Sequence, residues 1–327
     1  MIKRREFIRL LGGAAAAWPL AARAQQSAMP VIGVLGLDSL TFRDKLFNAF
    51  RQGLGETGYA EGHNVAIEVH GAEYQFDRIP LLAADLVRQR VAVILAEGEA
   101  PAKAAKGATA TIPIVFATGG DPVRAGLVAS LNQPGGNLTG VSYFSGALGA
   151  KQLEIIRELI PNPGPLALLI NPDNPTDQSE QADVQAAAAA IGQPIEVVSA
   201  KSNADLEAAF SALAQRRASG VLVAIDPLFF SIRAQLIALA ARHALPAIYS
   251  DREFVEAGGL ISYGASLTEA YRQIGLYVGR ILKGAKPADL PVMLPAKFEL
   301  VINAKTVRAI GLTIPLTLQY AADEVIE

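Results

Sequence analysis

One strand–helix alternation is written twice in this chain, in the same order. Val31–Gly36 reads as a buried strand, and Phe42, Leu46, Phe50 and Leu54 recur at spacing four as the apolar stripe of a helix that Gly55 and Gly58 end. A strand over His63–His70, a helix over Ile79–Arg90, a strand over Val91–Ala96, a helix over Pro101–Ala110 and a strand over Ile112–Thr118 follow. The second pass runs strand Leu166–Asn171, helix Gln178–Ile191, strand Ile195–Ser199, helix Ala204–Arg217, strand Val221–Ile225, helix Phe230–His243 and strand Leu245–Tyr249. Matched strand positions 31, 65, 91 and 113 recur at 166, 195, 221 and 246, offsets of 135, 130, 130 and 133 residues. Four matches in order at a nearly constant offset predict two Rossmann-like α/β lobes of one topology. Alternating βα units predict parallel sheets with helices on both faces.

The lobes need connections. Asn132–Gly140 is a turn-rich passage into strand-like Val141–Tyr143, Gly258–Gly264 is a second crossing, and a third lies near Phe298–Asn303. Three crossings make a multi-strand hinge rather than a linker. Thr268–Lys283 reads as a helix with Ile274, Tyr277, Val278 and Ile281 inward, so the chain returns to the first lobe before ending. The expected division is 29–139 plus about 265–296 for lobe I, and 140–264 plus about 297–327 for lobe II.

Residues 1–24 read as an address rather than a fold. Arg4-Arg5-x-Phe7-Ile8 precedes a short Gly- and Ala-rich run over Leu10–Ala17 and an Ala22-Arg23-Ala24 cleavage signal, the layout of an export peptide of the twin-arginine kind. Cleavage near Ala24 would leave a periplasmic product. Without those residues the chain keeps 24 basic and 30 acidic side chains, a net charge of −6, which gives no electrostatic basis for gripping nucleic acid. There is no cysteine, hence no disulfide, thiolate nucleophile, zinc–thiolate site or lipid-bearing cysteine. With 51% hydrophobic and 18% charged residues among 327, the body can fill two cores.

In open parallel sheets ligands sit outside the carboxyl ends of the strands, and two such sheets face each other across a cleft. The strand ends nominate Asp38, Ser39, Glu97, Gly98, Thr118, Gly119 and Asp121 from lobe I. They nominate Asn171, Asn174, Asp226, Phe229, Tyr249, Asp251 and, at the second crossing, Tyr263 from lobe II. Such residues also cap helices and make turns, and that reading stands beside the functional one. No Gly-x-Ser-x-Gly elbow and no Walker-type phosphate loop occur, and Gly33-x-x-Gly36 lacks the third glycine of a dinucleotide fingerprint. His63 and His70 lie seven apart on an expected strand and point to opposite faces, so a shared metal is not expected. No cofactor is implied.

Several stretches carry a family resemblance. They are Gly55-Glu-Thr-Gly58-Tyr59-Ala-Glu61-Gly62, Ile112-Pro113-Ile114-Val115-Phe116 with Asp121-Pro122-Val123, and Pro134-Gly135-Gly136-Asn137-Leu138-Thr139-Gly140. Gly258-Gly259-Leu260-Ile-Ser262-Tyr263-Gly264, Ile281-Leu282-Lys283-Gly284 through Pro291, and the tail Ala322–Glu327 complete the set. From about Pro30 to Glu327 the chain resembles the periplasmic substrate-binding proteins of ABC transporters, in the family related to tryptophan- and tyrosine-binding components. The resemblance implies a type I periplasmic binding protein fold, a small organic ligand with aromatic amino acids as the suggested class, an inner-membrane ABC permease as partner, and no catalysis. A monomer is expected. A sensor domain of the same fold, and a two-lobed enzyme using cleft carboxylates such as Glu97 or Asp121, remain the alternatives.

Overall fold

The computed structural model describes residues 29–38, 44–143, 148–161, 163–295 and 297–327. Residues 1–24, Ser39 and Phe42 lie outside these. The first sheet is wholly parallel, in the order β2-β1-β3-β4-β5: Ala66–Gly71, Val31–Gly36, Val93–Glu97, Ile114–Thr118 and Leu138–Ser142. Strands β1, β3, β4 and β5 are almost entirely buried, which is why their sequences run apolar without alternation. β2 is the edge and keeps Glu68 and Val69 exposed.

Helices cover both faces. On one face Ile32, Val34, Val93, Leu95 and Val115 pack against α1 (Asp44–Glu56) and against a helix from far down the chain. On the other, Leu35, Ile94, Ala96 and Phe116 pack against α2 (Ile79–Gln89) and α3 (Glu99–Ala108).

The second sheet has seven strands, β12-β11-β10-β9-β8-β6-β7. In chain order they are β6 Leu166–Ile170, β7 Ile195–Ser199, β8 Gly220–Val223, β9 Ala247–Tyr249, β10 Ile261–Ala265, β11 Phe298–Asn303 and β12 Glu324–Ile326. Its faces are covered by α4 (Leu148–Leu159), α5 (Pro175–Ala190), α6 (Asn203–Gln215), α7 (Pro227–Ser231), α8 (Arg233–Arg242) and α9 (Arg252–Glu256). Along β6 the two cores alternate: Leu166, Leu168 and Ile170 face α4 and α5, whereas Ala167 and Leu169 face α6 and α8.

One pair departs from the parallel run. β10 and β11 are antiparallel, with Tyr263 opposite Leu300. β10 leads out of the second sheet into α10 (Leu267–Leu282), which packs on the first sheet, and β11 brings the chain back. Gly53 on α1 and Gly275 on α10 let those helices touch: a Cβ on either would collide with the other's backbone. The chain thus passes between sheets after Ser142, after Ala265 and before Phe298.

The passage through Gly140 is itself strand β5 of the first sheet, so the chain leaves that sheet later than Gly140. The helix expected over Phe230–His243 is two helices, because Pro227 at the first helical position behind the Asp226 cap starts a turn early and a break follows at Ile232. Helix α4, with α11 (Ala304–Ala309) and α12 (Leu316–Ala321), adds to the expected elements. Among the described residues no helix is long and apolar enough to cross a membrane.

Candidate functional site

The carboxyl ends of the two sheets face each other across a cleft that opens to solvent. The first lobe contributes Leu37, the Gly98–Pro101 start of α3, and Gly119 after β4. The second contributes Asn174, Thr176, Val223–Pro227, Phe230, Tyr249–Asp251 and Phe254. Tyr143, Leu148, Gly264, Ala265 and Leu267 line it where the chain crosses.

The wall in the second lobe is aromatic. Tyr249 and Phe254 stack with centroids 4.5 Å apart, and Phe230 meets Phe254 edge-on at 6.2 Å. Tyr249 is 1% exposed, and burial raises its phenol above the usual tyrosine range.

Helices that begin at the cleft do so in two ways, with a side-chain cap or without one. Asn174 caps α5 by accepting from Thr176 N–H, Asp226 caps α7 through Leu228 and Phe229, and Asp251 caps α9 through Glu253. Helix α3 begins at Gly98, whose φ is 109° and which has no side chain to offer, so its first turn, Gly98–Pro101, lines the cleft without a side-chain cap. The amides of such a turn are the natural seat of a carboxylate.

No lysine or arginine lines the cavity among the described residues. The carboxylates there are mostly engaged. Asp226 accepts from Asn171, Asn174, Leu228 and Phe229 at 2.8–3.2 Å. Asp177, behind it, accepts from Asn171 N–H at 2.7 Å and from Asn174 at 2.8 Å. Burial raises both carboxyls, Asp177 well above the ordinary range with Asp226 and Glu180 adding to it. Glu99 is paired with Lys103 at 2.7 Å.

Of the strand-end residues, Gly98, Gly119, Asn174, Asp226, Tyr249 and Asp251 line the cavity. Others stand behind its wall. Asp38 and Glu97 are buried beside Gly36, and Tyr271 donates to Glu97 at 2.7 Å. Thr118 accepts from Gly120 N–H, and Asn171 belongs to the Asp177–Asp226 network. Asp121 caps the turn at Val123 and Arg124.

Two further nominated residues do not line the cavity. Phe229 is fully buried in the core, because on the short helix α7 it points toward Leu213 and Leu236 while Phe230 turns to the cleft. Tyr263 stacks on Phe298 at 5.8 Å and packs on the core of the α4 face of the sheet, and it is not among the residues lining the cavity. Phe254, Tyr143, Leu148 and Ile225 were not nominated: Tyr143 and Ile225 end expected strands, and Phe254 and Leu148 lie several residues past one. The signal that could have found Phe254 is its place three residues after the Asp251 cap.

Comparison with known proteins agrees with this geometry. A family profile described as ABC transporter substrate binding protein matches residues 31–326. A tyrosine-binding protein of Clostridioides difficile (strain R20291) is 26% identical over 281 residues, covering 86% of this chain and 81% of its own. A Streptococcus pneumonia ABC domain solved in complex with L-Trp superposes with a TM-score of 0.83 at 27% identity, over 91% of this chain and all of its own. A conserved domain protein from Vibrio cholerae O1 biovar El Tor superposes at 0.84 with 28% identity over the same shares. The two-lobed architecture is that of type I periplasmic binding proteins.

Proposed function

Because the chain belongs to the family of ABC transporter substrate-binding proteins, we propose that its cleft captures an amino acid with an aromatic side chain and presents it to an inner-membrane ABC permease. One observation carries the choice of solute: the uncapped start of α3 in the first lobe faces the Phe230–Tyr249–Phe254 wall of the second. A carboxylate accepted by the Glu99 and Ala100 amides needs no arginine, and a ring of the same molecule reaches the aromatic wall. The acidic cleft suits an ammonium group and opposes a second carboxylate. The tyrosine- and tryptophan-binding relatives support the same class.

The protein acts without catalysis in this reading, as an exported periplasmic monomer whose first 24 residues are removed by way of the twin-arginine route. Calorimetry with L-tyrosine, L-tryptophan and L-phenylalanine against L-leucine and L-glutamate tests the solute. One aromatic amino acid binding per chain, tighter than L-leucine, is expected. Tighter binding of L-glutamate would contradict it.

A further inference from the structure

Two ion pairs between described residues bridge the lobes. Lys45 on α1 reaches Glu256 on α9 at 3.3 Å. At the other rim Arg124, in the connection after β4, meets Asp183 on α5 with two parallel bonds of 2.9 Å each. The second pair is the better built, since a guanidinium and a carboxylate match fork to fork.

The surroundings of Arg124 are unequal in charge. Asp177, Glu180 and Asp183 recur at spacing three along α5, and α5 packs against α3 of the other lobe. From the first lobe come Asp121 and Glu99, both within the electrostatic reach of Arg124 along with Asp183. When the lobes meet, Asp183 of the second therefore comes up against Asp121 and Glu99 of the first. Gly120 lies at this seam: a Cβ there would stand 2.8 Å from Glu99 Oε2 and 3.7 Å from Thr176 Oγ1 of the second lobe.

We infer that Arg124 is the positioning residue of lobe closure, acting as a bidentate latch on Asp183 and as the positive charge that lets two acidic faces approach. This rests on the reading of the chain as a two-lobed solute binder, not on which solute it binds. The two roles make the two partners unequal. Removing Arg124 breaks the bridge and leaves like charges opposed, whereas neutralising Asp183 breaks the bridge but removes one of the opposed charges.

The chain has no native cysteine, so spin labels at Ala129→Cys and Ala186→Cys, both exposed and in different lobes, report lobe separation alone. Distance distributions are taken without ligand and with L-tyrosine. A short-distance component is expected in the parent. In Arg124→Gln its ratio to the long component falls about five- to tenfold, the scale of a bidentate pair plus the like charges left facing each other. Asp183→Asn lowers it about twofold. Arg124→Lys lies between parent and Arg124→Gln, and the reversed pair Arg124→Asp with Asp183→Arg recovers to within about threefold. A merely structural residue would lower the thermal midpoint and show no recovery on reversal.

Unchanged distributions in Arg124→Gln, equal losses in both single variants without recovery, or a parent with no short component in either arm would each overturn the latch. A parent that ignores L-tyrosine refutes the solute reading only. The ligand-free arm then decides alone, with a reduced short component in Arg124→Gln upholding the latch and an unchanged one overturning it.

Discussion

Gly119 of the first lobe and Ile225 of the second approach each other across the cleft closely enough that a side chain on Gly119 would meet Ile225. A Cβ on Gly119 would stand 3.2 Å from Ile225 Cγ2 and 3.0 Å from the ring edge of Tyr143. The backbone of Gly119 is not left-handed, so glycine is there for space and not for conformation. The residue is where the lobes meet when the cavity is enclosed.

Gly119→Val should therefore hold the lobes apart while each lobe folds normally. The expected result in calorimetry with L-tyrosine is a loss of affinity of about tenfold or more, with a thermal midpoint close to the parent's. Parent-like affinity would place the solute elsewhere than between the lobes.

Phe230 presents its ring to the cavity beside Phe254. Phe230→Leu keeps an apolar side chain and removes the ring. The preference for L-tyrosine over L-leucine should narrow by about threefold to tenfold, the range of ring–ring contacts. Titration of the two amino acids into parent and variant reads this ratio. An unchanged ratio would take Phe230 out of the recognition.

Glu180 is half-buried and accepts from Ile225 N–H at 3.1 Å. Burial raises its carboxyl from 4.5 to about 7, with Asp183 and Asp226 adding to the shift. Between those values the unfolded chain has lost this proton and the folded chain keeps it. Glu180 thus contributes fully below the window, and its contribution is lost as pH rises through it. The thermal midpoint of the parent relative to Glu180→Gln should fall across that window and level above it. Asp177 and Asp226 are raised in the same sense, and Glu180 adds to the shift of Asp177, so the difference reads Glu180 together with its coupling to Asp177. Parallel curves would contradict the assignment.

Most of the fold could be read from the sequence because its central strands are buried on both faces and its helices carry one apolar stripe. Both signals repeat at the same offset in the two halves. What escaped is short or compensated. The five-residue helices α7 and α9 are too brief to show a period, so Phe229 could not be told from Phe230 by pattern. The strand tips surround the cavity, but only some of the tip residues line it. Asp226 and Asn174 do line the cavity, yet their side chains are spent on capping α7 and α5 and on each other. The tip with the most to offer a ligand is Gly98, which contributes backbone alone.

Export can be tested apart from binding. Arg4→Lys combined with Arg5→Lys should abolish periplasmic accumulation if the twin-arginine route carries the protein. Immunodetection in fractionated cells is the measurement. Normal accumulation of the double variant would assign export to another route.

The most direct test of the solute reading is mass spectrometry of what the protein carries when purified from its native compartment and then unfolded. An aromatic amino acid released at about one per chain is the expected result. A solute without a ring, or one bearing two carboxylates, would contradict the account of the cleft given by Gly98, Phe230, Tyr249 and Phe254.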